Sequence, residues 1–240
     1  AETCKKNFHI ASNPEFLREG CAVNDFIKPD RIIIGAETEH AKKVLQQLYN
    51  PIKSDILFTS IESAEIIKYA SNAFLASKIS FINEISLLCE KTGANVKDVS
   101  KGIGLDSRIG KAFLNAGSGW GGSCFPKDVK ALIRIAQDNG IELLIPMAAE
   151  IVNEKQKLLP ALKLEKKLGS LENKRIALFG LAFKPETDDM RNSTSIDVSR
   201  YLVSKGARVI GYDPVAEENA KKIIKGIEFS ETPEAAAKNA

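Results

Sequence analysis

The stretch that decides the fold runs from residue 61 to residue 92 and reads IESAEIIKYASNAFLASKISFINEISLLCEKT. Apolar residues recur in it at spacings of three and four, and it contains neither proline nor glycine. The pattern predicts one helix from Ser60 to Thr92, about 30 residues and roughly 45 Å long. Because so long a helix spans a whole domain, we expect it to form the spine of a central helical region.

C-terminal to this helix, residues 174–214 show the pattern of a βαβ unit. The buried strand KRIALFGLAF is followed by an amphipathic helix, SIDVSRYLVSKG, and by a second strand, ARVIGYDP. Its first turn has only Gly180 where a dinucleotide site needs GxGxxG, and Asp213 comes later than the usual acidic residue. We therefore favour a unit that binds another ligand, or only packs, over a dinucleotide site. Lys184 and Arg191 flank this turn, where a phosphate-bearing ligand would suit them.

The other segments complete an α/β fold. Residues 8–58 alternate strand-like and helix-like runs, among them RIIIG, AKKVLQQLY and ILFTS. Further helices are predicted in VKDVSKGIG and SRIGKAFLNAG, after Pro126, and from Ile145 to Leu168. These changes of pattern divide the chain into three regions, residues 1–58, 59–168 and 169–240.

The composition is that of an ordinary globular protein, 44% hydrophobic and 27% charged. Lys and Arg number 34 against 31 Asp and Glu, and the basic residues are dispersed, so we expect no nucleic-acid partner. No apolar run approaches the roughly 18 to 20 residues of a membrane span. The first residues, AETCKKNFHI, lack the apolar core of a signal peptide, so we expect a cytoplasmic protein without a membrane partner.

The four cysteines are widely spaced and form no CxxC pair, and there are only two histidines. This pattern argues against a zinc site, another metal site or a disulfide framework. Any chemistry must then use cysteine, lysine or carboxylates. For Cys4, Cys21 and Cys89 we favour an inert, buried thiol.

Cys124 stands in a different context, GSGWGGSCFPKD. Pro126 fits the first position of a helix, so Cys124 would lie at a helix N-terminus, where the dipole and nearby Lys127 favour a thiolate. The preceding glycines permit unusual backbone conformations and a close approach of a ligand to the main chain. The local sequence leaves both a reactive thiol and an inert buried one open.

Several polar pairs are equally ambiguous. Lys68 and Asn72 lie four residues apart on the long helix and project from one face, where they can hold an oxyanion or simply belong to a solvated stripe. For Asn83 and its neighbour Glu84, further along the same helix, the sequence likewise does not decide between a functional role and a solvated surface. In NPEFLREG, Glu15 and Glu19 can serve as bases or ligand clamps, or as charges at a helix start.

Five motifs carry a resemblance to one family: SNPEFLREG, EIIKYASNAFLASKISFINE, GLDSRIG, GSGWGGSCFPKD and GLAFKPETDDMRNS. In this order they resemble the UDP-glucose/GDP-mannose dehydrogenase family over nearly the whole chain. The resemblance implies an NAD-dependent, four-electron oxidation of a nucleotide sugar through a cysteine thiohemiacetal and thioester, and CFPKD favours the UDP-glucose branch. It makes residues 1–58 the remainder of an N-terminal NAD-binding Rossmann domain, 59–168 a central helical dimerisation domain, and 169–240 a partial Rossmann-like UDP-binding domain.

The same resemblance implies catalytic roles. Cys124 resembles the nucleophile, Glu15 the base for thioester hydrolysis, Lys68 and Asn72 the pair that steadies negative charge, and Asp128 the carboxylate that positions them. NAD contacts are implied for Glu19, Lys127 and Arg191. The UDP-sugar is expected to meet Phe16, Leu17, Asn115, Gly117, Gly119, Gly121, Phe183 and Lys184. Arg108 resembles an arginine that reaches a neighbouring subunit's substrate, which implies a homodimer or a larger homo-oligomer.

The sequence departs from the family at both ends. The GxGxxG segment of the NAD-binding half comes earlier in the family than the point where this sequence begins, and further strands and another arginine follow later. The chain is therefore expected to be a catalytic fragment that does not bind NAD productively alone. Two alternatives stay open: a dehydrogenase for UDP-N-acetylhexosamine or GDP-mannose, and a non-catalytic assembly module.

Overall fold

The structure, a computed structural model, describes residues 8–240, so Cys4 lies outside the described residues. The chain divides into two compact units, one ending at Ser71 and the other beginning at Asn72. Nothing in this division tests the three regions predicted from the sequence, which stay a prediction.

The first unit is built on a small sheet whose strands follow the order β1-β2-β3. Strand β2 pairs antiparallel with β1 and parallel with β3, and all its residues are buried. Ala41 of helix α2 belongs to the same apolar cluster as Ile32 and Ile34 of β2. The elements are β1 (Ala11–Ser12), α1 (Ala22–Ile27), β2 (Ile32–Ala36), α2 (Glu39–Tyr49) and β3 (Ile56–Thr59).

The predicted long helix is confirmed as α3, which runs from Ile61 to Thr92. The start of α3 packs closely against Gly35 of β2. A Cβ at Gly35 would lie only 2.6 Å from the carbonyl oxygen of Ser60, so only glycine allows this approach. Further along, small residues at Ala73 and Ala76 are buried and let other elements approach the helix closely.

The second unit continues with three helices, α4 (Val96–Gly104), α5 (Phe125–Asp138) and α6 (Leu144–Leu168). The helices predicted at these places are confirmed, and α6 runs through Pro160. The helix predicted in SRIGKAFLNAG is wrong, because residues 105–117 form turns and irregular structure. Gly110 and Phe113 have φ values of 71° and 63° there, which a right-handed helix does not contain.

The predicted βαβ unit is confirmed near the C-terminus. Its sheet has the order β4-β5-β6 with all strands parallel, and α7 packs on it through Val198 and Leu202. The elements are β4 (Arg175–Phe179), α7 (Thr194–Ser204), β5 (Arg208–Tyr212), α8 (Glu217–Ile223), β6 (Glu228–Phe229) and α9 (Pro233–Ala237). Between residues 8 and 240, no helix combines the length and the apolar character that crossing a membrane requires.

Candidate active site

Cys124 is the residue that immediately precedes α5, as predicted. Its side chain is half-buried, and the Ser123 hydroxyl lies 3.6 Å from its Sγ atom. Pro126 is the second helical residue rather than the first, but it still belongs to the first turn, where a missing N–H costs no helical hydrogen bond. The thiol therefore lies at the positive end of the helix dipole.

Of the other cysteines that the structure describes, Cys89 is buried and Cys21 is exposed. The expectation of a buried thiol is wrong for Cys21, because it precedes the short helix α1, in which no residue is buried.

Asp128 lies one turn after Cys124 on α5 and is only 1% exposed. Its Oδ2 atom accepts a hydrogen bond from Asn72 Nδ2 at 2.6 Å, and its Oδ1 atom lies 2.6 Å from Lys127 Nζ. A buried carboxylate needs such partners, since an unpaired one is costly. The contact fixes the Asn72 amide of α3 against the first turn of α5.

Glu15 and Lys68 meet in the first unit. Lys68 Nζ lies 2.8 Å from Glu15 Oε1, donates a second hydrogen bond to the Glu15 backbone oxygen, and has a side chain only 14% exposed. The other Glu15 oxygen accepts the Leu17 N–H at 2.7 Å. Phe16 lies beside the pair, with Lys68 Nζ 5.4 Å from its ring centroid. The structure thus brings together a carboxylate and an ammonium group that the sequence places 53 residues apart.

Buried amides hold the glycine-rich segment, which we define as residues 117–122. Asn153 bonds to both backbone groups of Trp120: its Oδ1 accepts the Trp120 N–H at 2.7 Å and its Nδ2 donates to the Trp120 oxygen at 2.9 Å. Asn83 Oδ1 accepts the Gly117 N–H at 2.8 Å, and Gln156 Nε2 donates to the Gly117 oxygen at 2.6 Å. Two glycines within it, Gly119 and Gly122, have φ values of 106° and 83°, a region that side chains disfavour.

The other side of the glycine-rich segment contacts residues 183–192. The Gly122 N–H donates to the Arg191 oxygen at 2.8 Å, and a Cβ at Gly122 would lie 2.6 Å from the Phe183 ring. A Cβ at Gly121 would lie 2.0 Å from the Asn192 carbonyl oxygen. This close packing explains the glycines and places Phe183 and Arg191 beside the segment that leads into Cys124.

Asp213 directly follows β5, and its carboxylate reaches the turn that follows β4. Its Oδ2 accepts the N–H groups of Leu181 and Ala182 at 2.7 and 3.1 Å, and its Oδ1 accepts those of Val215 and Ala216, both at 2.9 Å. Burial alone raises the pKa of Asp213, but the four backbone donors outweigh it and leave the pKa below its ordinary value. The N–H groups of Leu181 and Ala182 in the turn after β4 are thus already bonded to a carboxylate, in agreement with the weak dinucleotide fingerprint of this turn.

The remaining predicted residues lie apart from these contacts or carry other ones. Arg108 is exposed and pairs with Asp106 at 2.6 Å, which lowers the pKa of that carboxyl. Asn115 is exposed, Glu19 is half-buried, and Lys184 Nζ lies 5.5 Å from the Phe183 ring centroid. Their implied roles stay predictions.

Two of the predicted NAD-binding residues, Lys127 and Arg191, carry exposed cationic side chains. Lys127 and Arg191 have side chains 63% and 62% exposed, one in the first turn of α5 and the other bonded through its backbone to Gly122. Each pairs with a carboxylate, Lys127 with Asp128 at 2.6 Å and Arg191 with Asp189 at 2.8 Å, and their NAD contacts stay predictions.

Comparison with protein families gives three matches to one family. The central-domain model of the UDP-glucose/GDP-mannose dehydrogenase family matches residues 62–155, its UDP binding domain matches 177–240, and its NAD binding domain matches 1–53. The chain belongs to the UDP-glucose/GDP-mannose dehydrogenase family. The resemblance seen in the motifs is thereby confirmed, as is NAD as the cofactor of the family.

Within this dehydrogenase family, the chain is 49% identical to a UDP-glucose 6-dehydrogenase of Rhizobium meliloti, over 96% of its own length and 54% of the relative's. A UDP-glucose 6-dehydrogenase of Bacillus subtilis is also 49% identical, with 95% and 52% covered. A solved UDP-glucose dehydrogenase from Pyrobaculum islandicum superposes with a TM-score of 0.95 at 45% identity, covering 97% of this chain and 54% of that one. The chain thus spans about half the length of the curated relatives it matches.

The dehydrogenase motifs named Cys124, Asn72 and Asp128, but the sequence did not single out the amides of Asn153 and Gln156. Both lie on α6 in the run IVNEKQK, which has the appearance of an ordinary polar helix face. Their spacing of three residues, which places two amides on one side of a helix, is the one signal that could have found them. Asn83 was left open, and the structure shows it fully buried.

Proposed function

We propose that this chain serves the NAD-dependent four-electron oxidation of UDP-glucose to UDP-glucuronate. The observation that carries the proposal is the position of Cys124 at the start of α5, one turn before a buried Asp128 that holds Asn72. The relatives at 49% identity are UDP-glucose 6-dehydrogenases, and the sequence CFPKD follows the same branch.

In the proposed mechanism, the Cys124 sulfur adds to the C6 aldehyde of the half-oxidised sugar and forms a thiohemiacetal. The positive end of α5 stabilises the anionic sulfur before it attacks. Oxidation of this adduct leaves a thioester, and water then attacks the thioester carbon and releases the Cys124 sulfur as the leaving group. Bound NAD⁺ supplies the acceptor for the two electrons of each oxidation.

Polar groups of this chain complete the proposed chemistry. Asn72 donates a hydrogen bond to the developing oxyanion, and Asp128 keeps its amide in the required orientation. Glu15 takes a proton from the attacking water, and the Lys68 ammonium group, 2.8 Å from Glu15 Oε1, steadies negative charge that develops on the water or on the substrate oxygen. Lys127 and Arg191 would hold the NAD diphosphate.

The test replaces Cys124 by Ser in the natural full-length protein. We expect net oxidation of UDP-glucose to be abolished, while the Kd for UDP-glucose, measured by calorimetry, changes less than about threefold, because the hydroxyl is a poor nucleophile of nearly the same size. Cys21→Ser is the matched control, since that thiol is exposed before α1, and it should retain full turnover.

A second variant tests the covalent step directly. Glu15→Gln should let a UDP-glucuronyl adduct accumulate on Cys124, visible as an increase in intact mass that Cys124→Ser removes. Turnover retained in Cys124→Ser would end the proposal. Oxidation of UDP-N-acetylhexosamine or GDP-mannose that is faster than oxidation of UDP-glucose would identify that nucleotide sugar as the substrate instead. A cytoplasmic location and a homodimer or larger oligomer stay predictions of the sequence.

A further inference from the structure

We propose that Asn83, Asn153 and Gln156 are positioning residues, which hold the glycine-rich segment in the conformation that receives the UDP-sugar. The inference rests on the proposed function, because it assigns the support of that substrate segment to three amides on α3 and α6. None of the three needs to touch the substrate.

Asn153 provides the first part of the argument. It is completely buried, and both polar atoms of its side chain bond to the backbone of Trp120, at 2.7 and 2.9 Å. A Cβ at Gly119 would lie 2.8 Å from Asn153 Oδ1, so the amide packs against the segment where no side chain fits. This amide therefore fixes both the orientation of the Trp120 peptide groups and their distance from α6.

Gly117 is held from two helices at once. Asn83 of α3 accepts its N–H, and Gln156 of α6 donates to its oxygen. Among the residues that the structure describes, Asn83 Nδ2 is the only buried side-chain nitrogen or oxygen without a hydrogen-bond partner. An unpaired buried donor is unfavourable, and a leucine of similar shape would avoid it. The acceptor that Asn83 offers to Gly117 is a sufficient reason for an asparagine at this position.

Glycines make such support necessary. A segment with glycines at positions 117, 119, 121 and 122 has many backbone conformations, and a ligand that ordered it would lose part of its binding free energy. The amides order the segment before the substrate arrives. They are also neutral, so they satisfy the backbone without adding a negative charge that would repel a diphosphate.

Trp120 gives a direct measure of this ordering, because it is the only tryptophan in the chain and its Nε1 donates to Ser80 at 3.0 Å. In Asn83→Leu and Asn153→Leu, we expect Trp120 emission to move to longer wavelength and acrylamide to quench it more strongly, without any ligand. Val209→Ala in β5 is the control, since it opens a cavity in a separate core cluster. It should lower Tm without shifting the emission.

The kinetic arm uses the natural full-length protein. Both leucine variants should raise KM for UDP-glucose about tenfold, equivalent to about 1.4 kcal/mol, while kcat changes less than threefold. If either leucine variant does not fold, Gln156→Leu supplies the same comparison at a slightly exposed position.

Two outcomes would overturn the inference, and a third would overturn the proposed function instead. Unchanged emission and quenching in folded variants would show that the amides do not hold the segment. Shifted emission with unchanged KM would show that its conformation is irrelevant to the substrate. If the unmodified protein binds no UDP-glucose, the proposed function fails instead, while the emission still reports whether the amides order the segment.

Discussion

In the second unit, the turn after β4 and the glycine-rich segment satisfy their backbone N–H groups in different ways. In the turn after β4, Leu181 and Ala182 donate to the carboxylate of Asp213. In the glycine-rich segment, Gly117 and Trp120 donate to the neutral amide oxygens of Asn83 and Asn153. The first turn already holds an anion of its own, whereas the second is ordered without one.

This difference changes the local charge next to two turns whose backbones are otherwise similar. Asp213 puts a negative charge beside the turn after β4, and this charge disfavours a second anion there. The side-chain amides of Asn83 and Asn153 are neutral and add no charge beside the glycine-rich segment. A strand followed by a glycine turn and a helix is therefore not enough to predict a phosphate site. The turn N–H groups can bind a phosphate only if no carboxylate of the protein already accepts their hydrogen bonds.

The largest expected effect comes from disturbing the glycine-rich segment itself with Gly121→Ala. The new Cβ would lie 2.0 Å from the Asn192 carbonyl oxygen, so the backbone at residue 121 or at Asn192 must move. We expect kcat/KM for UDP-glucose to fall about a hundredfold, the scale of a misplacement of roughly 1 Å, in steady-state kinetics of the natural full-length protein.

Gly102→Ala in α4 is the matched control, because a Cβ there has no neighbour within 4 Å and the backbone has no positive φ. It should stay within about threefold of the unmodified protein. Equal losses in the two variants would mean that the contact with Asn192 is not the cause of the loss.

The next effect concerns the β4 turn, through Asp213→Asn. The amide keeps one acceptor oxygen but turns an NH₂ group toward backbone donors, and it loses the charge that strengthens all four bonds. We expect a loss of about 3 kcal/mol in the free energy of unfolding, measured with urea at pH 7. Asp188→Asn, an exposed carboxylate that accepts one bond from Asn219, should lose less than about 0.5 kcal/mol.

The smallest effect is the pH dependence of that difference. Since folding lowers the pKa of Asp213, its carboxylate adds stability above its unfolded pKa of about 3.9, and this stability is lost as the pH falls through the folded pKa. The gap in unfolding free energy between the unmodified protein and Asp213→Asn should therefore narrow below about pH 4. A gap that stays constant down to pH 2 would show that the Asp213 charge does not stabilise the fold.

Local pattern was enough to predict α3 and the βαβ unit, because both depend on periodicities that each segment carries in itself. It failed at SRIGKAFLNAG, where Phe113 has a positive φ that no propensity scale anticipates for a bulky residue. The family motifs named the groups that are proposed to react. The motifs did not predict which of these side chains contact each other. Asn72 and Asp128, for example, are 56 residues apart in the sequence and meet only because α3 and α5 pack together.

The same reason explains why the supporting amides were missed. Asn153 and Gln156 satisfy the backbone of a segment more than 30 residues away, and a single sequence does not show which backbone a side chain will reach. Asp213 was noticed because it comes later than the usual acidic residue of a dinucleotide site, but its four backbone partners depend on the register of β4 and β5.

The connections of the glycine-rich segment also determine when it forms during folding. Its hydrogen bonds join residues 33 to 76 positions apart, from Asn153 with Trp120 to Thr194 with Ser118. Contacts so distant in sequence require closing long loops, and they form after helices such as α3, whose bonds are local. We therefore expect the glycine-rich segment to be among the last parts of the second unit to become ordered, so that an intermediate with complete helices would still lack the conformation that the buried amides hold.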